Sequence, residues 1–144
     1  MKVILYSSDL STELRLPFAD GGVRAGFPSP AQDYLTDSID FNRDIIKSAA
    51  TTFYARCVGE SMRDAGLDDG DILVIDKSLE AQDGSIVIAF VNGEFTVKRI
   101  KKVEENDCIW LMPENPDYPP IRVDKDEQFE VWGVVTFVIK SLAK

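Results

Sequence analysis

Histidine is absent from the 144-residue chain. That absence removes Ser-His-Asp and Cys-His catalysis and nearly every common zinc site, because all of these use imidazole as base or ligand. Cysteine is scarce. Cys57 and Cys108 are the two present, too few for a disulfide framework, and each lies in an apolar run where a free thiol is expected to pack as a small buried hydrophobe. Long hydrophobic runs are lacking as well: the longest, Phe129 to Ile139, contains Glu130 and covers eleven residues, short of the roughly 20 that span a bilayer. The opening Met-Lys-Val-Ile-Leu-Tyr meets Ser7, Ser8, Asp9 and Ser11 before a secretory apolar core develops, so no membrane segment and a cytoplasmic location are expected. Basic charge is in deficit, with 16 Lys and Arg against 25 Asp and Glu and a net charge of -9. A protein that binds nucleic acid by itself needs a basic surface to displace counterions from phosphates, so tight direct DNA binding is not expected.

What is present describes a folding chain. Apolar residues make up 44% and charged residues 28%, the usage of a soluble globular protein, and the length suits one compact domain with a short appendage. Residues 1–50 contain Gly21-Gly22, Phe27-Pro28-Ser29-Pro30 and scattered polar residues without sustained periodicity, and read as an N-terminal arm and linker. Within the arm, Ser29 as N-cap and Pro30 as first residue predict a short helix over Pro30 to Leu35, and a second is expected over Asn42 to Lys47.

Residues 51–144 read as a β-rich domain. Short runs of β-branched and aromatic residues alternate with turn signals, giving strands at Thr52 to Cys57, Ile72 to Asp76, Ser85 to Val91, Glu94 to Lys101, Cys108 to Met112 and Gln128 to Lys140, the last bent at Gly133. Asn92-Gly93 predicts a tight hairpin, since a two-residue type I′ turn needs positive φ at both positions. Four prolines between Pro113 and Pro120 predict a surface loop.

Two residues invite chemistry. Ser61, in Gly59-Glu60-Ser61-Met62-Arg63, follows a strand through a glycine that permits a tight backbone path with amides nearby. By pattern alone this reads as an ordinary turn, since the second glycine of a Gly-x-Ser-x-Gly elbow is missing. Without histidine the base must be something else. Lys98 lies in Glu94-Phe95-Thr96-Val97-Lys98-Arg99-Ile100, where alternation puts it on one face with Thr96 and Ile100, opposite Phe95, Val97 and Arg99. A lysine with its ordinary pKa of about 10.4 is protonated at neutral pH, so it must be desolvated to accept a proton. The same pattern also fits a lysine whose head reaches solvent from an edge strand. The acidic stretch Asp64 to Asp71 fails as a calcium loop, because Gly66, Asp69 and Ile75 fall where a ligand, the turn glycine and the bidentate glutamate belong. No metal and no cofactor are expected.

Taken together, Gly59-Glu60-Ser61-Met62, Gly66-Leu67-Asp68-Asp69-Gly70-Asp71 and Glu94-Phe95-Thr96-Val97-Lys98 resemble the paired blocks of the LexA-type self-cleaving Ser-Lys peptidases, and most of all their UmuD branch. Ala25-Gly26-Phe27-Pro28-Ser29-Pro30-Ala31 is similar to the cleavage region of that branch, and Met112 to Ile121 and Val131 to Val135 to its C-terminal stretches; the likeness runs from about residue 24 to the end. The resemblance implies a mainly β, LexA/UmuD-like peptidase domain with an extended N-terminal arm. It implies Ser61 as nucleophile, Lys98, 37 residues on, as general base, and the Ala25–Gly26 bond as the one cut. It also suggests the Ser61 and Glu60 backbone amides as the oxyanion site. Implied partners are a second copy in a homodimer, a RecA filament on single-stranded DNA as stimulator of cleavage, and a UmuC-type Y-family translesion polymerase that the trimmed form serves in the SOS response to DNA damage. Residues 1–23 show little similarity to the arms of that branch.

Other readings are open at this point. A repressor would need a DNA-binding domain that 25 residues before the cut cannot hold. A signal peptidase would need a membrane anchor. A β-rich binding module that regulates a polymerase or other partner, with Ser61 and Lys98 inert, differs from the peptidase by having no activity.

Overall fold

The computed structural model describes residues 2–7, 9, 11, 13–14, 16–18, 37–103, 108–124 and 127–143. In chain order the elements are β1 (Lys2–Ser7), β2 (Leu16–Phe18), β3 (Asp37–Ile39), α1 (Phe41–Asp44), β4 (Thr52–Val58), β5 (Ile72–Asp76), β6 (Ile86–Val91), β7 (Glu94–Val103), β8 (Cys108–Met112), β9 (Ile121–Val123) and β10 (Phe129–Ile139). They fall into two compact units, one of residues 1–8 with 50–144 and one of residues 9–49. The architecture is mainly β.

The larger unit is one antiparallel sheet of eight strands in the order β1-β4-β5-β10-β6-β7-β8-β9. Apolar residues on alternate positions bury in two clusters. Ala55, Cys57, Met62, Leu67, Leu73, Ile75, Ile88 and Val97 form one, and Ala81, Val87, Ala89, Ile100, Leu111 and Val123 the other. Both cysteines are free and buried, as their apolar surroundings lead one to expect. Burial, then nearby Asp71, pushes the Cys57 thiol up to about 11, so it stays protonated at neutral pH and is no nucleophile.

The expected strands stand within a few residues of their anticipated bounds, β5 and β8 without change. Asn92 (φ 49°) and Gly93 (φ 87°) both take the left-handed conformation that the β6–β7 hairpin demands. The bend expected at Gly133 is a register shift between Val131 and Gly133 where β10 passes between β5 and β6. A Cβ there would come within 2.5 Å of Ile75 Cγ2, which is why the position holds glycine. The acidic turn is solvent-exposed at Asp64, Asp68 and Asp69 and also tied down: Lys140 Nζ donates to Asp68 Oδ2 at 2.6 Å and Asp71 Oδ2 at 2.5 Å, and these bonds hold the ammonium above its ordinary value.

One boundary differs. Residues 2–7 were expected in the arm, yet they are the edge strand of the sheet, paired with β4 from Lys2↔Val58 to Ser7↔Phe53. Val3 and Leu5 alternate inward against the first cluster, and six residues suffice for that where they were too few to register as a pattern. β9, three residues long beside prolines, also went unanticipated.

In the smaller unit, β2 pairs with β3 from Leu16↔Ile39 to Phe18↔Asp37. The Asp40 carboxylate caps α1 by accepting from Asn42 N at 3.0 Å, and accepts from Leu14 N at 3.0 Å. The helix is one turn over Phe41–Asp44, shorter than the Asn42 to Lys47 expected. Ala25, Gly26 and the helix expected over Pro30 to Leu35 lie outside the described residues. Among the described residues no helix is long and apolar enough to cross a membrane.

Candidate active site

The sequence left open whether Ser61 and Lys98 meet. They do: Lys98 Nζ lies 3.0 Å from Ser61 Oγ. Two separate stretches of backbone produce this contact. Ser61 follows β4 through Gly59, whose φ of 104° turns the chain out of the strand, and Gly59 N donates to Asp69 Oδ1 at 2.8 Å, pinning the exit. Lys98 stands mid-way along β7, opposite Val87 of β6, so its Cα is held by a central ladder.

The anticipated alternation is present. Lys98 Nζ donates to Thr96 Oγ1, two residues back on the same face, at 3.0 Å, and to the Val97 carbonyl at 3.1 Å. Ser61 is 1% exposed and Lys98 4%, which rejects the solvent-reaching alternative for this lysine. Among the described residues no carboxylate forms an ion pair with it. Burial therefore dominates, and pushes the Lys98 ammonium below its ordinary value.

Among the described residues, three neighbours of Nζ suit both protonation states. An ammonium donates to all three; a neutral amine has two N–H groups and one lone pair. The Val97 carbonyl can only accept, whereas a hydroxyl can reverse its role. Ser61 Oγ–H can therefore donate to the lone pair while Val97 and Thr96 keep their bonds, which is the geometry of a base about to take a proton.

The serine turn is clamped from outside by residues that the sequence pattern did not single out. Ser61 O accepts from Glu114 N at 2.8 Å, and Asp64 N donates to Glu114 O at 2.8 Å. Asn115, 4% exposed, donates from Nδ2 to Glu60 O at 2.9 Å and accepts from Asp117 N at 3.0 Å. Glu114 is in turn gripped by Arg99 Nε at 2.6 Å, and Arg99 also donates to Gly84 O at 2.6 Å. The proline-rich loop expected at the surface is thus strand-free but not idle, since its first residues fix the Glu60–Ser61 backbone. Proline composition speaks of what a segment cannot be; it carries no signal for which loop it meets.

The chain is similar in sequence to known proteins over most of its length. The Peptidase S24-like family model matches residues 17–136. Protein MucA of Salmonella typhimurium is 41% identical over 138 residues, covering 94% of this chain and 92% of its own. Protein SamA of the same species is 44% identical over 115 residues, 80% of this chain and 78% of that protein. LexA repressor 1 of Pseudomonas syringae pv. tomato is 40% identical over 121 residues, 83% of this chain but 58% of the repressor.

Proposed function

The chain belongs to the Peptidase S24-like family, and from that premise we propose that it is a self-cleaving serine peptidase that cuts its own Ala25–Gly26 bond with a Ser61–Lys98 dyad. The observation that carries this reading is the buried 3.0 Å contact between Lys98 Nζ and Ser61 Oγ. Neutral Lys98 takes the hydroxyl proton, and Ser61 Oγ attacks the Ala25 carbonyl carbon. The tetrahedral intermediate collapses as Lys98, now an ammonium, gives the proton to the departing Gly26 amine. Water then releases the acyl group from Ser61, with Lys98 again as base. The Ser61 and Glu60 amides are the proposed donors to the developing oxyanion, and the Glu60 and Ser61 carbonyls, held by Asn115 and Glu114, keep that turn in place. Small side chains at Ala25 and Gly26 let the backbone come close, and Pro28 and Pro30 bias Phe27 and Ser29 toward extended conformations. Tethering the substrate to the enzyme supplies proximity that a free peptide lacks.

The reaction is a switch that removes 25 residues. In this reading the trimmed chain serves a UmuC-type Y-family translesion polymerase in the SOS response, a RecA filament on single-stranded DNA stimulates the cut, and the working form is a homodimer in the bacterial cytoplasm. The dimer has support in β10: its pairing to β5 runs to Ile139, but its pairing to β6 ends at Val134, leaving a half-strand edge with Phe137 and Val138 exposed. Incubating purified protein at about pH 9 to 10, where Lys98 is deprotonated without an activator, yields a fragment beginning at Gly26 by mass spectrometry. Intact chain at every pH would favour the inert binding module instead.

A further inference from the structure

The edge of β4 is occupied by a strand that the cut would sever from the domain. β1 forms a six-residue ladder with β4, and its Val3 and Leu5 pack on the cluster that contains Ala55, Cys57 and Met62. Everything joining β1 to β4 through the backbone runs across residue 25. Once that bond is broken, the described ties that hold residues 1–25 are non-covalent: the β1–β4 ladder with the packing of Val3 and Leu5, the three-residue β2–β3 ladder, and the bond from Leu14 N to Asp40 Oδ2.

We propose, building on the cleavage reading above, that β1 is a removable plug, and that its loss bares the β4 edge as a docking site for an extended segment of a partner protein. The occupant's chemistry is written by the plug. It presents main-chain amides and carbonyls to residues 53–58, and it carries aliphatic side chains at alternate positions, where Val3 and Leu5 now sit, with no demand on the positions between, since Lys2, Ile4 and Tyr6 are exposed. Tethering matters because a covalent connection raises the strand's effective concentration at its own edge to about millimolar. At micromolar protein the cut lowers that concentration about a thousandfold, enough to convert a closed edge into an open one. An unpaired edge is a template for strand addition, so the same bond break that removes the arm creates a surface that the uncut chain hides.

The test uses the full chain carrying Ser61→Ala and a recognition sequence for an exogenous protease inserted between Ala25 and Gly26, so that cutting does not depend on self-cleavage. After cutting at micromolar concentration, gel filtration should separate the N-terminal fragment from the domain. Amide hydrogen exchange in residues 53–58 should quicken relative to the uncut chain. A fluorescent peptide with the sequence of residues 2–7 should bind the cut chain and be at least tenfold weaker on the uncut one. The same peptide with Val3→Asp and Leu5→Asp should not bind. A fragment that co-elutes after dilution, or exchange and peptide binding equal in cut and uncut chains, would overturn the proposal. So would cut chains that self-associate through the bared edge and exclude the peptide, since the occupant would then be a second copy. Failure of the unmodified chain to cut itself at alkaline pH would instead count against the dyad, and leaves these readouts interpretable.

Discussion

The two units of this chain are built to different standards. Residues 50–144 with residues 2–7 place their functional atoms on long ladders: Lys98 stands in the ten-residue β7, paired on both sides, and Ser61 leaves a seven-residue β4 through a turn pinned by Asp69, Glu114 and Asn115. Residues 9–49 contain, among the described residues, one three-residue ladder and one turn of helix held by the Asp40 and Asp44 carboxylates. The proposed catalytic pair needs a fixed 3.0 Å contact and a dry setting, which the packed sheet provides. A segment that must be delivered, cut and shed needs neither. Rigidity belongs to the groups proposed to act, while the segment proposed to be acted on lies in the unit whose described elements are short.

Several substitutions would break or sharpen that contrast. The largest effect belongs to the dyad: Ser61→Ala and Lys98→Ala should each reduce the Gly26 fragment by about a thousandfold or more, with an unchanged circular-dichroism spectrum. Cleavage at the normal rate by the Lys98 variant would show that the base is elsewhere. Next comes Asn115→Ala, which frees Glu60 O and lets the serine turn drift; a loss of about ten- to a hundredfold in cleavage rate is expected. The pH midpoint should not move, because Lys98 keeps all three of its neighbours.

Gly133→Ala should act on the scaffold alone. The added methyl meets Ile75, costing about 1–3 kcal/mol of stability in chemical denaturation, while cleavage well below the melting temperature stays near normal. The smallest effect is Asp40→Ala in the other unit. Loss of the cap destabilises one short helix by about 1 kcal/mol, visible as faster amide exchange at Asn42 and Arg43 with the global unfolding midpoint unmoved. A global shift for Asp40→Ala as large as that for Gly133→Ala would erase the distinction between the units.

Much of the sheet was legible because its signals are local. Alternation, the Asn92-Gly93 turn and the glycine at position 133 each act within a few residues, and the structure carries all three. The dyad was legible only in part. Alternation put Lys98 on a face with Thr96, but bringing it to Ser61 across 37 residues is a matter of topology, which period and propensity do not encode. Resemblance to a known family bridged that gap. Nothing bridged it for Asn115 and Glu114, whose roles depend on a loop reaching a turn more than fifty residues earlier in the chain, or for β1, whose six residues become a strand only because β4 offers an edge to receive them.

The central claim is that Lys98 acts as a neutral base because burial has displaced its proton affinity. The displacement is downward from 10.5, so the fraction of active base, and with it the cleavage rate, should climb as pH rises through the displaced value, with a midpoint below the ordinary lysine value. The decisive measurement is the first-order rate of Gly26-fragment formation from about pH 6 to pH 11. A sigmoidal rise with its midpoint below the ordinary lysine value, absent in the Lys98→Ala chain, is predicted. A rate independent of pH, or one that keeps rising in proportion to hydroxide beyond that value with or without Lys98, would contradict it.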